Sequence, residues 1–231
     1  MSKNDLDRRK FVTTALAAGA AIGIGGCIES EKKGGSRHCG GLAFNNSDFY
    51  DADGKFIIDK GKEAYIKLMK YHGYPIYPDI KDKLWVSDYG TGQFTKLGLG
   101  ANMFENNEKD RYMLMDLFLL PNQMLPEHYH LKTEANPAKR EGWLVRYGAS
   151  YIVGEGPAKV DAKVVIPKCH MNGTATVNNG VWTGPGEFVE LARVTSRHWQ
   201  FGGPKGAIIN EVATVHDNDG VRHSDTNLVF P

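Results

Sequence analysis

The stretch LPEHYHLKTEANPAKREGWLVRYG, residues 125–148, places two histidines one residue apart, follows them with a polar loop and ends in a strand-like run that begins at Glu141. Residues i and i+2 of an extended strand point to the same face. His128 and His130 are therefore expected to project their imidazoles into one space. Two imidazoles and a carboxylate that meet at one point form a ligand set for a divalent first-row metal such as Mn, Fe, Co, Ni or Zn. The stretch thus predicts a metal site carried by a strand.

The surrounding sequence predicts a mostly β fold with one helix. Tyr65, Leu68 and Met69 recur at helical spacing in a segment that Gly73 and Pro75 bring to an end. Beyond this segment, short runs rich in Val, Ile, Leu, Phe and Tyr are separated by Gly, Pro and Asn, a pattern typical of an antiparallel sandwich or barrel. The predicted strands lie in residues 112–120, 142–154, 162–167, 174–182, 187–194 and 207–215.

Length and charge restrict the class of protein. The chain has 231 residues, of which 41% are hydrophobic, and this is enough for one globular domain with a sizeable core. Outside residues 1–26 the chain carries 24 basic and 25 acidic residues. A nucleic-acid-binding protein would show a strongly basic patch or stripe, so no nucleic-acid partner is expected.

The first residues predict export from the cytoplasm. A polar head is followed by an apolar stretch, residues 11–24, that is too short to cross a bilayer, and residues 1–26 are therefore interpreted as an export signal peptide. The letters RRKF, residues 8–11, resemble the twin-arginine signal, and IGGC, residues 24–27, resemble a lipobox whose cysteine is acylated. The protein is expected in the periplasm or at the cell surface, touching the membrane through a lipid anchor at Cys27. Cleavage after Ala21, which would leave a soluble periplasmic protein, is the alternative.

Behind Cys27 the chain is charged and glycine-rich, which predicts a tether and N-terminal extension over residues 27–60, followed by the main domain over residues 61–231. Cys39 and Cys169 are able to pair in an oxidising compartment if the fold brings them together. Cys169 is interpreted as a structural or free cysteine rather than a metal ligand. Five other histidines are assigned to the surface or to loops: His38, His72, His170, His216 and His223.

Glu141 and Gly148, with six residues between them, reproduce the second half of the first cupin motif, whose first half is His-x-His. The sequence therefore resembles the cupins, which implies a jelly-roll β-barrel and a fourth ligand, a histidine from a later strand, for which His198 is the candidate. Two features depart from the cupin pattern. Ten residues separate His130 from Glu141, where three or four are usual, and RVT at residues 193–195 replaces the usual Pro-x-Gly.

Glu134 is the competing carboxylate, because it lies four positions after His130 and satisfies the usual gap. Pro137 follows it in a turn-like segment that would make a poor central strand. Glu141 instead leads directly into the run GWLVRYG. The predicted metal ligands are His128, His130, Glu141 and His198.

The long gap, together with EHYH at residues 127–130 and AKREGWLVRYG at residues 138–148, resembles the cupin-type D-lyxose isomerases. Residues 83–100 and 206–230 are similar to further segments of that family. The resemblance implies a metal-dependent aldose–ketose isomerase that binds a small sugar, with Mn²⁺ as the expected metal and Zn²⁺, Fe²⁺ or Co²⁺ as alternatives. A metal on the sugar oxygens acts as a Lewis acid while a base moves a proton between C1 and C2.

The same resemblance implies roles for three more residues. Glu211 is assigned as the catalytic base, Lys139 as a cation near the developing oxyanion, and Asp225 as a contact to a sugar hydroxyl. An unpaired buried carboxylate within the apolar run AIINEVATV would be costly, and burial would raise its pKa toward a value that suits a base. The alternatives are a Glu211 that faces solvent on the outer side of its strand and a Lys139 that is a solvated loop lysine. Trp143 and Trp199 are expected in the core rather than stacked on a sugar.

Two other functions remain open on the sequence. The same ligand set serves iron or copper dioxygenases on the cupin barrel, and fold does not fix function, so a non-catalytic sugar-binding lipoprotein is a third reading. The sequence also leaves a homodimer open.

Overall fold

The computed structural model describes residues 41–157, 159–161 and 163–230, so that the predicted signal peptide, Cys27 and Cys39 lie outside the described residues. The helices are α1 (Ile58–His72) and α2 (Ile80–Lys83), with 3-10 turns at Asn46–Phe49 and Asn218–Gly220. The strands are β1 (Trp85–Ser87), β2 (Leu99–Asn107), β3 (Tyr112–Leu119), β4 (Met124–His130), β5 (Glu141–Gly154), β6 (Asn179–Thr183), β7 (Phe188–Glu190), β8 (His198–Ala213) and β9 (Val221–His223). No helix in this part of the chain has the length and apolar character needed to span a membrane.

The strands form one antiparallel sheet in the order β1-β2-β3-β8-β4-β9, and β5 pairs with β6, β7 and β8. The long strand β8 serves two partners, because its second half pairs with β3 and its first half pairs with β4. β5 follows β8 along both halves. The sheet therefore curls into a half-barrel, and the prediction of an all-β architecture with an N-terminal helix is confirmed.

Two glycines allow β5 and β8 to bend together. Gly148 has φ of 70°, and a Cβ atom at this position would lie 2.1 Å from the carbonyl oxygen of Gly206, which has φ of 71°. Side chains are excluded by both the left-handed backbone and the close approach. The pairing register of the two strands also shifts between Gly148 and Ser150. The glycine of the sequence motif is thus required by the corner at which the sheet turns.

The two faces of the sheet bury different clusters. Leu117 and Ile209 are register partners on the inner face, whereas their neighbours Phe118 and Ile208 face outward and pack against α1. Tyr65, Leu68 and Met69 on α1 are fully buried there, as their helical spacing predicted, and each aliphatic or aromatic side chain of this kind contributes about 1.5–3 kcal/mol on burial. The helix ends at Gly73, which takes a left-handed conformation. The outer cluster leaves the inner face free to line a cavity.

Part of the strand prediction was wrong. In place of the predicted strands 174–182 and 187–194, the structure has strands at Asn179–Thr183 and Phe188–Glu190, and the described residues of 162–167 form no strand. The apolar side chains of this region pack against Trp199 from a loop, without joining the sheet; they are Val160, Val164, Ile166, Ala175 and Val177. Apolar content was mistaken for strand pairing, because a loop can bury β-branched residues equally well.

Candidate metal centre and active site

Four predicted ligands meet on the inner face of the sheet. His128 and His130 lie on β4, and His198 is the register partner of His128 at the start of β8. The ligand nitrogens of the three histidines all lie within 4.8 Å of one another. Glu141, the first residue of β5, places Oε1 3.4 Å from His130 Nε2 and 3.3 Å from His198 Nε2. Strand pairing therefore brings together residues that are 70 positions apart in sequence.

The imidazoles are arranged so that lone pairs face one another. His128 Nδ1 lies 2.9 Å from the Pro126 carbonyl oxygen, and His198 Nδ1 lies 3.1 Å from that of Ser196. Because a carbonyl only accepts, each Nδ1 carries the proton and each Nε2 presents a lone pair. Burial, followed by the neighbouring His198 and His130, holds the pKa of His128 well below its ordinary value, so that this ring is neutral. The two Nε2 atoms nevertheless lie 3.1 Å apart, a repulsive contact that a cation would relieve.

Other polar atoms of the cluster also lack hydrogen-bond partners. His130 Nε2 and Glu141 Oε1 are buried and make no hydrogen bond. Unpaired buried lone pairs cost free energy unless they bind something. Three imidazole nitrogens and one carboxylate oxygen form a donor set that suits a divalent first-row metal, and a backbone acceptor on Nδ1 is the usual support of a metal-binding histidine. The residues present therefore fit a metal ion, although the donor set alone does not select which one.

The two candidate carboxylates lie in different places. Glu134 is exposed in the loop between β4 and β5 and lines the mouth of the cavity. Glu141 has a side chain that is 1% exposed, and its Oε1 faces the imidazoles. This geometry supports Glu141 as the ligand.

A buried ion cluster adjoins the imidazoles. The Lys139 ammonium lies 2.9 Å from Glu141 Oε2 and donates a short hydrogen bond to Glu211 Oε1. Burial alone would lower the pKa of Lys139, but Glu141 and Glu211 reverse this effect and hold it above its ordinary value. Burial would likewise raise the pKa of Glu141, yet the Lys139 ammonium holds it below its ordinary value. Lys139 and Glu141 are therefore charged, and the ammonium joins the two carboxylates.

Glu211 faces inward and lines the cavity, but it is not unpaired as expected. In the register it lies between Met115 of β3 and Trp143 of β5. Its Oε1 accepts from Lys139, and its Oε2 accepts from Trp143 Nε1 at 3.2 Å. Trp143 is thus buried, as predicted, and also orients a predicted catalytic group. Trp199 packs in a separate cluster on the other side of the sheet.

Two histidines assigned to the surface or to loops, His216 in a loop and His223 on β9, line the cavity. His216 Nε2 donates to Asn218 Oδ1 at 2.8 Å, which leaves Nδ1 to face the Lys139 ammonium at 3.5 Å. His223 lies beside His128, with ring centroids 5.9 Å apart. Both line the cavity, which has a volume of about 1150 Å³. Their contacts arise from a turn and a short strand after β8 that no local pattern in the sequence marked.

His170 lies in a turn, which agrees with its assignment to the surface or to loops, but it is fully buried. Its Nδ1 donates to the Thr174 carbonyl at 2.8 Å, and its Nε2 accepts from the Glu127 backbone N–H at 3.2 Å. Both nitrogens are therefore used in holding a loop. Cys169 is partly buried, and its predicted pairing with Cys39 stays a prediction, since Cys39 lies outside the described residues.

Asp225 lies apart from the predicted catalytic residues. Its Oδ2 accepts from the Met171 backbone N–H at 2.7 Å, and its Oδ1 accepts from the Asn227 backbone N–H at 3.0 Å. The residue is buried and is not part of the cavity lining. Its carboxylate holds the C-terminal segment in place, and this geometry gives no support to the predicted contact with a sugar hydroxyl.

Comparison with known proteins agrees with the predicted class. The D-lyxose/D-mannose isomerase of Thermosediminibacter oceani is 29% identical over 178 residues, which cover 75% of this chain and 94% of that protein. The D-lyxose ketol-isomerase of Cohnella laeviribosi is 28% identical over 155 residues, 67% of this chain and 83% of that protein. No family model matches the sequence.

Among solved structures, the L-ribose isomerase of Cellulomonas parahominis superposes with a TM-score of 0.58 at 12% identity, covering 78% of this chain and 94% of that one. At this identity the likeness shows the fold alone. The cupin-like architecture predicted from the sequence is confirmed, and in sequence the chain is similar to D-lyxose isomerases.

Proposed function

We propose that the protein is a metal-dependent aldose–ketose isomerase that interconverts D-lyxose and D-xylulose, or D-mannose and D-fructose. The two aldoses, D-lyxose and D-mannose, share the configuration at C2 that the reaction removes. The observation that carries this proposal is the ion cluster, in which a buried base candidate, Glu211, is joined through Lys139 to Glu141 beside three convergent imidazoles. The similarity to isomerases of D-lyxose and D-mannose supports the choice of sugar.

His128, His130, His198 and Glu141 would hold the metal. We expect Mn²⁺ as the bound metal. Zn²⁺, Fe²⁺ and Co²⁺ are the alternatives, because they also bind imidazole nitrogens and carboxylate oxygens. When bound, a divalent ion supplies Lewis-acid polarisation of the sugar carbonyl and the neighbouring hydroxyl.

The other residues of the site carry out or support the proton transfer. Glu211 takes the proton from C2 of the open-chain aldose and returns it to C1, as a general base and then a general acid. The proton of the O2 hydroxyl passes to O1 in the same conversion, so that C1 becomes an alcohol and C2 the ketone. Trp143 donates to the Oε2 atom, which fixes the orientation of the carboxylate. Lys139 places a positive charge where negative charge develops on the sugar oxygens. His216 faces the Lys139 ammonium, so this cation is surrounded by acceptors on three sides.

The test is an assay of the metal-loaded protein against a panel of pentoses and hexoses, before and after chelation. Ketose formation from D-lyxose or D-mannose that is lost on chelation and restored by Mn²⁺ supports the proposal. Oxygen uptake with a redox-active metal would instead indicate a dioxygenase. Sugar binding without turnover of any member of the panel would indicate a binding protein.

We also propose that the protein leaves the cytoplasm by the twin-arginine route and carries a lipid at Cys27. The supporting observations are the letters RRKF at residues 8–11 and IGGC at residues 24–27. Replacing Cys27 with Ala should release the protein into the soluble fraction, and replacing Arg8 and Arg9 with Lys should block export. A wild-type protein that is already soluble after cell fractionation would contradict the anchor.

A further inference from the structure

The cavity is larger and more apolar than a single small sugar requires. Its volume of about 1150 Å³ exceeds the roughly 300–1,000 Å³ that is typical of pockets for drug-sized ligands, which are larger than a five-carbon sugar. The proposed catalytic groups line one part of it. The inner face of β1 and β2 lines another part and contributes apolar side chains: Trp85, Leu99, Ala101 and Met103. Sugar hydroxyls placed against such a wall would lose their hydrogen bonds to water.

Four aromatic rings form a connected group beside the metal centre and line the same cavity: Trp85, Tyr89, His223 and Phe230. The ring centroid of Phe230 lies 6.0 Å from that of Trp85 and 5.4 Å from that of His223. The His223 ring lies 5.3 Å from that of Tyr89 and 5.9 Å from that of His128. The aromatic group therefore extends from His223, which lies beside the proposed metal ligand His128, to Trp85 on β1.

The position of the group depends on the C-terminal segment. Val229 donates its backbone N–H to the Tyr89 carbonyl at 3.0 Å, and the carboxylate of Asp225 holds the preceding bend. Phe230 is thereby packed against Trp85 while remaining partly exposed to the cavity. The structure gives Asp225 an indirect role, because it holds the segment that carries Phe230.

From these observations we infer that the aromatic group is a second sugar subsite, and that the substrate is a reducing disaccharide or longer oligosaccharide whose reducing unit is isomerised at the metal centre. This inference rests on the proposed function. The C–H face of a pyranose ring is apolar and carries partial positive charge, which suits the negative face of an aromatic ring, while the ring edge keeps its hydroxyls. Lys83 and Glu108 also line the cavity, from exposed positions, and add charged groups to its wall.

The first measurement compares kcat/KM of the metal-loaded protein for 4-linked mannobiose with kcat/KM for mannose. We expect the wild type to favour the disaccharide by about tenfold, and Phe230→Ala to lower this preference by about the same factor, because an aromatic contact and its buried area are lost. Phe188→Ala is the matched control, since Phe188 is exposed on β7 and outside the cavity lining. It should leave both activities at the wild-type level. A preference for mannose, or a disaccharide preference that Phe230→Ala does not change, would overturn the subsite.

The second measurement does not depend on turnover. Mannobiitol and mannitol, which have no carbonyl and are not isomerised, are titrated into the protein by calorimetry. The subsite predicts that mannobiitol binds about tenfold more tightly and that Phe230→Ala removes the difference. Equal affinities would overturn the subsite even in an active isomerase. Tighter binding of mannobiitol to a protein that turns over no sugar would instead retain the subsite and reject the proposed reaction.

Discussion

Two buried glutamates adjoin the histidine pair, Glu127 in sequence and Glu141 in space, and they differ in whether their oxygens accept hydrogen bonds. Glu127 precedes His128 and is fully buried in a group that we call the brace, formed by Glu127, His170, Thr176 and Val177. Its oxygens accept hydrogen bonds from the Thr176 backbone at 2.9 Å, the Val177 backbone at 3.0 Å and the Thr176 hydroxyl. Glu141 is almost as buried, but its Oε1 has no hydrogen-bond partner.

Two histidines, one in each of these places, differ in the same way as the two glutamates. His170 and His128 both have Nδ1 beside a backbone carbonyl. In the brace, His170 Nε2 accepts a backbone N–H, whereas His128 Nε2 faces the lone pair of His198 Nε2. The residue types are therefore the same in both places, although His128 is only partly buried, and hydrogen-bond satisfaction differs. A satisfied buried glutamate stabilises the fold, and an unsatisfied one beside imidazoles indicates a ligand that the protein is built to bind.

The largest expected effect comes from changing Glu141, whose Oε1 atom lacks a hydrogen-bond partner. Glu141→Gln should lower metal affinity by more than about 100-fold, because even residues that merely support a ligand are worth 10- to 100-fold. Turnover should fall with the metal content, measured by elemental analysis of the dialysed protein. Glu134→Gln is the matched control and should retain both the metal affinity and the turnover of the wild type. Full occupancy in the Glu141 variant with loss in the Glu134 variant would show that the other carboxylate is the ligand.

The next effect separates chemistry from metal binding. Glu211→Gln should keep the metal and the fold but lower kcat by about 10²- to 10⁴-fold, the usual contribution of a general base. Steady-state kinetics at saturating metal measures this change. Glu190→Gln, an exposed change on β7, should leave kcat unaltered. An active Glu211 variant would remove this residue as the base.

A change in the brace should instead lower the free energy of unfolding. Glu127→Gln replaces a carboxylate that accepts three hydrogen bonds, and such bonds to a charged acceptor contribute about 1.5–3 kcal/mol. The free energy of unfolding in urea should fall by about 2 kcal/mol while metal is still bound at saturation. Glu105→Gln, at an exposed position on β2, is the control and should change little. Loss of metal without loss of stability would mean that the two regions are not distinct.

The smallest effect concerns the mouth of the cavity. Asp217 accepts from Thr133 at 2.7 Å and from Asn136 at 2.9 Å, and these bonds, that of Asn136 foremost, lower its pKa. A lowered pKa in the folded state contributes stability above the ordinary value of about 3.9 and loses it as the pH falls through the folded-state pKa. Asp217→Asn should therefore cost less than about 1 kcal/mol at pH 7, since the site is largely solvated.

Unfolding of the wild type and of this variant should converge in acid, which chemical denaturation across the pH range will measure. Asp219→Asn, at a neighbouring exposed position, serves as the control. A difference that grows as the pH falls would have the wrong sign and would contradict the role of Asp217.

Local patterns made the central features predictable. The i, i+2 spacing of His128 and His130 and the strand that begins at Glu141 can be read directly from the sequence. His198 followed from the resemblance to the cupins, and the pairing of His128 with His198 explains why it lies at the site.

Other features depend on register and on the path of the chain after β8. Trp143 and Glu211 meet because they are partners across β5 and β8, so the expectation of an unpaired Glu211 was wrong. His216 and His223 reach the cavity through a turn and a short strand that carry no hydrophobic period. The ring nitrogens of His170 find backbone partners on β4, at Glu127, and in the loop at Thr174, which sequence spacing does not encode.

The most direct test of the central claim follows the C2 proton of D-lyxose by NMR in D₂O, with the metal-loaded protein and with the same protein after chelation. The account predicts that the metal-loaded protein forms D-xylulose with deuterium at C1, that the signal of the C2 proton disappears, and that chelation stops both changes. Ketose formation without any deuterium would remove Glu211 as a proton carrier in exchange with water. A metal-loaded protein that leaves the C2 proton of D-lyxose and of D-mannose in place would contradict the isomerase account.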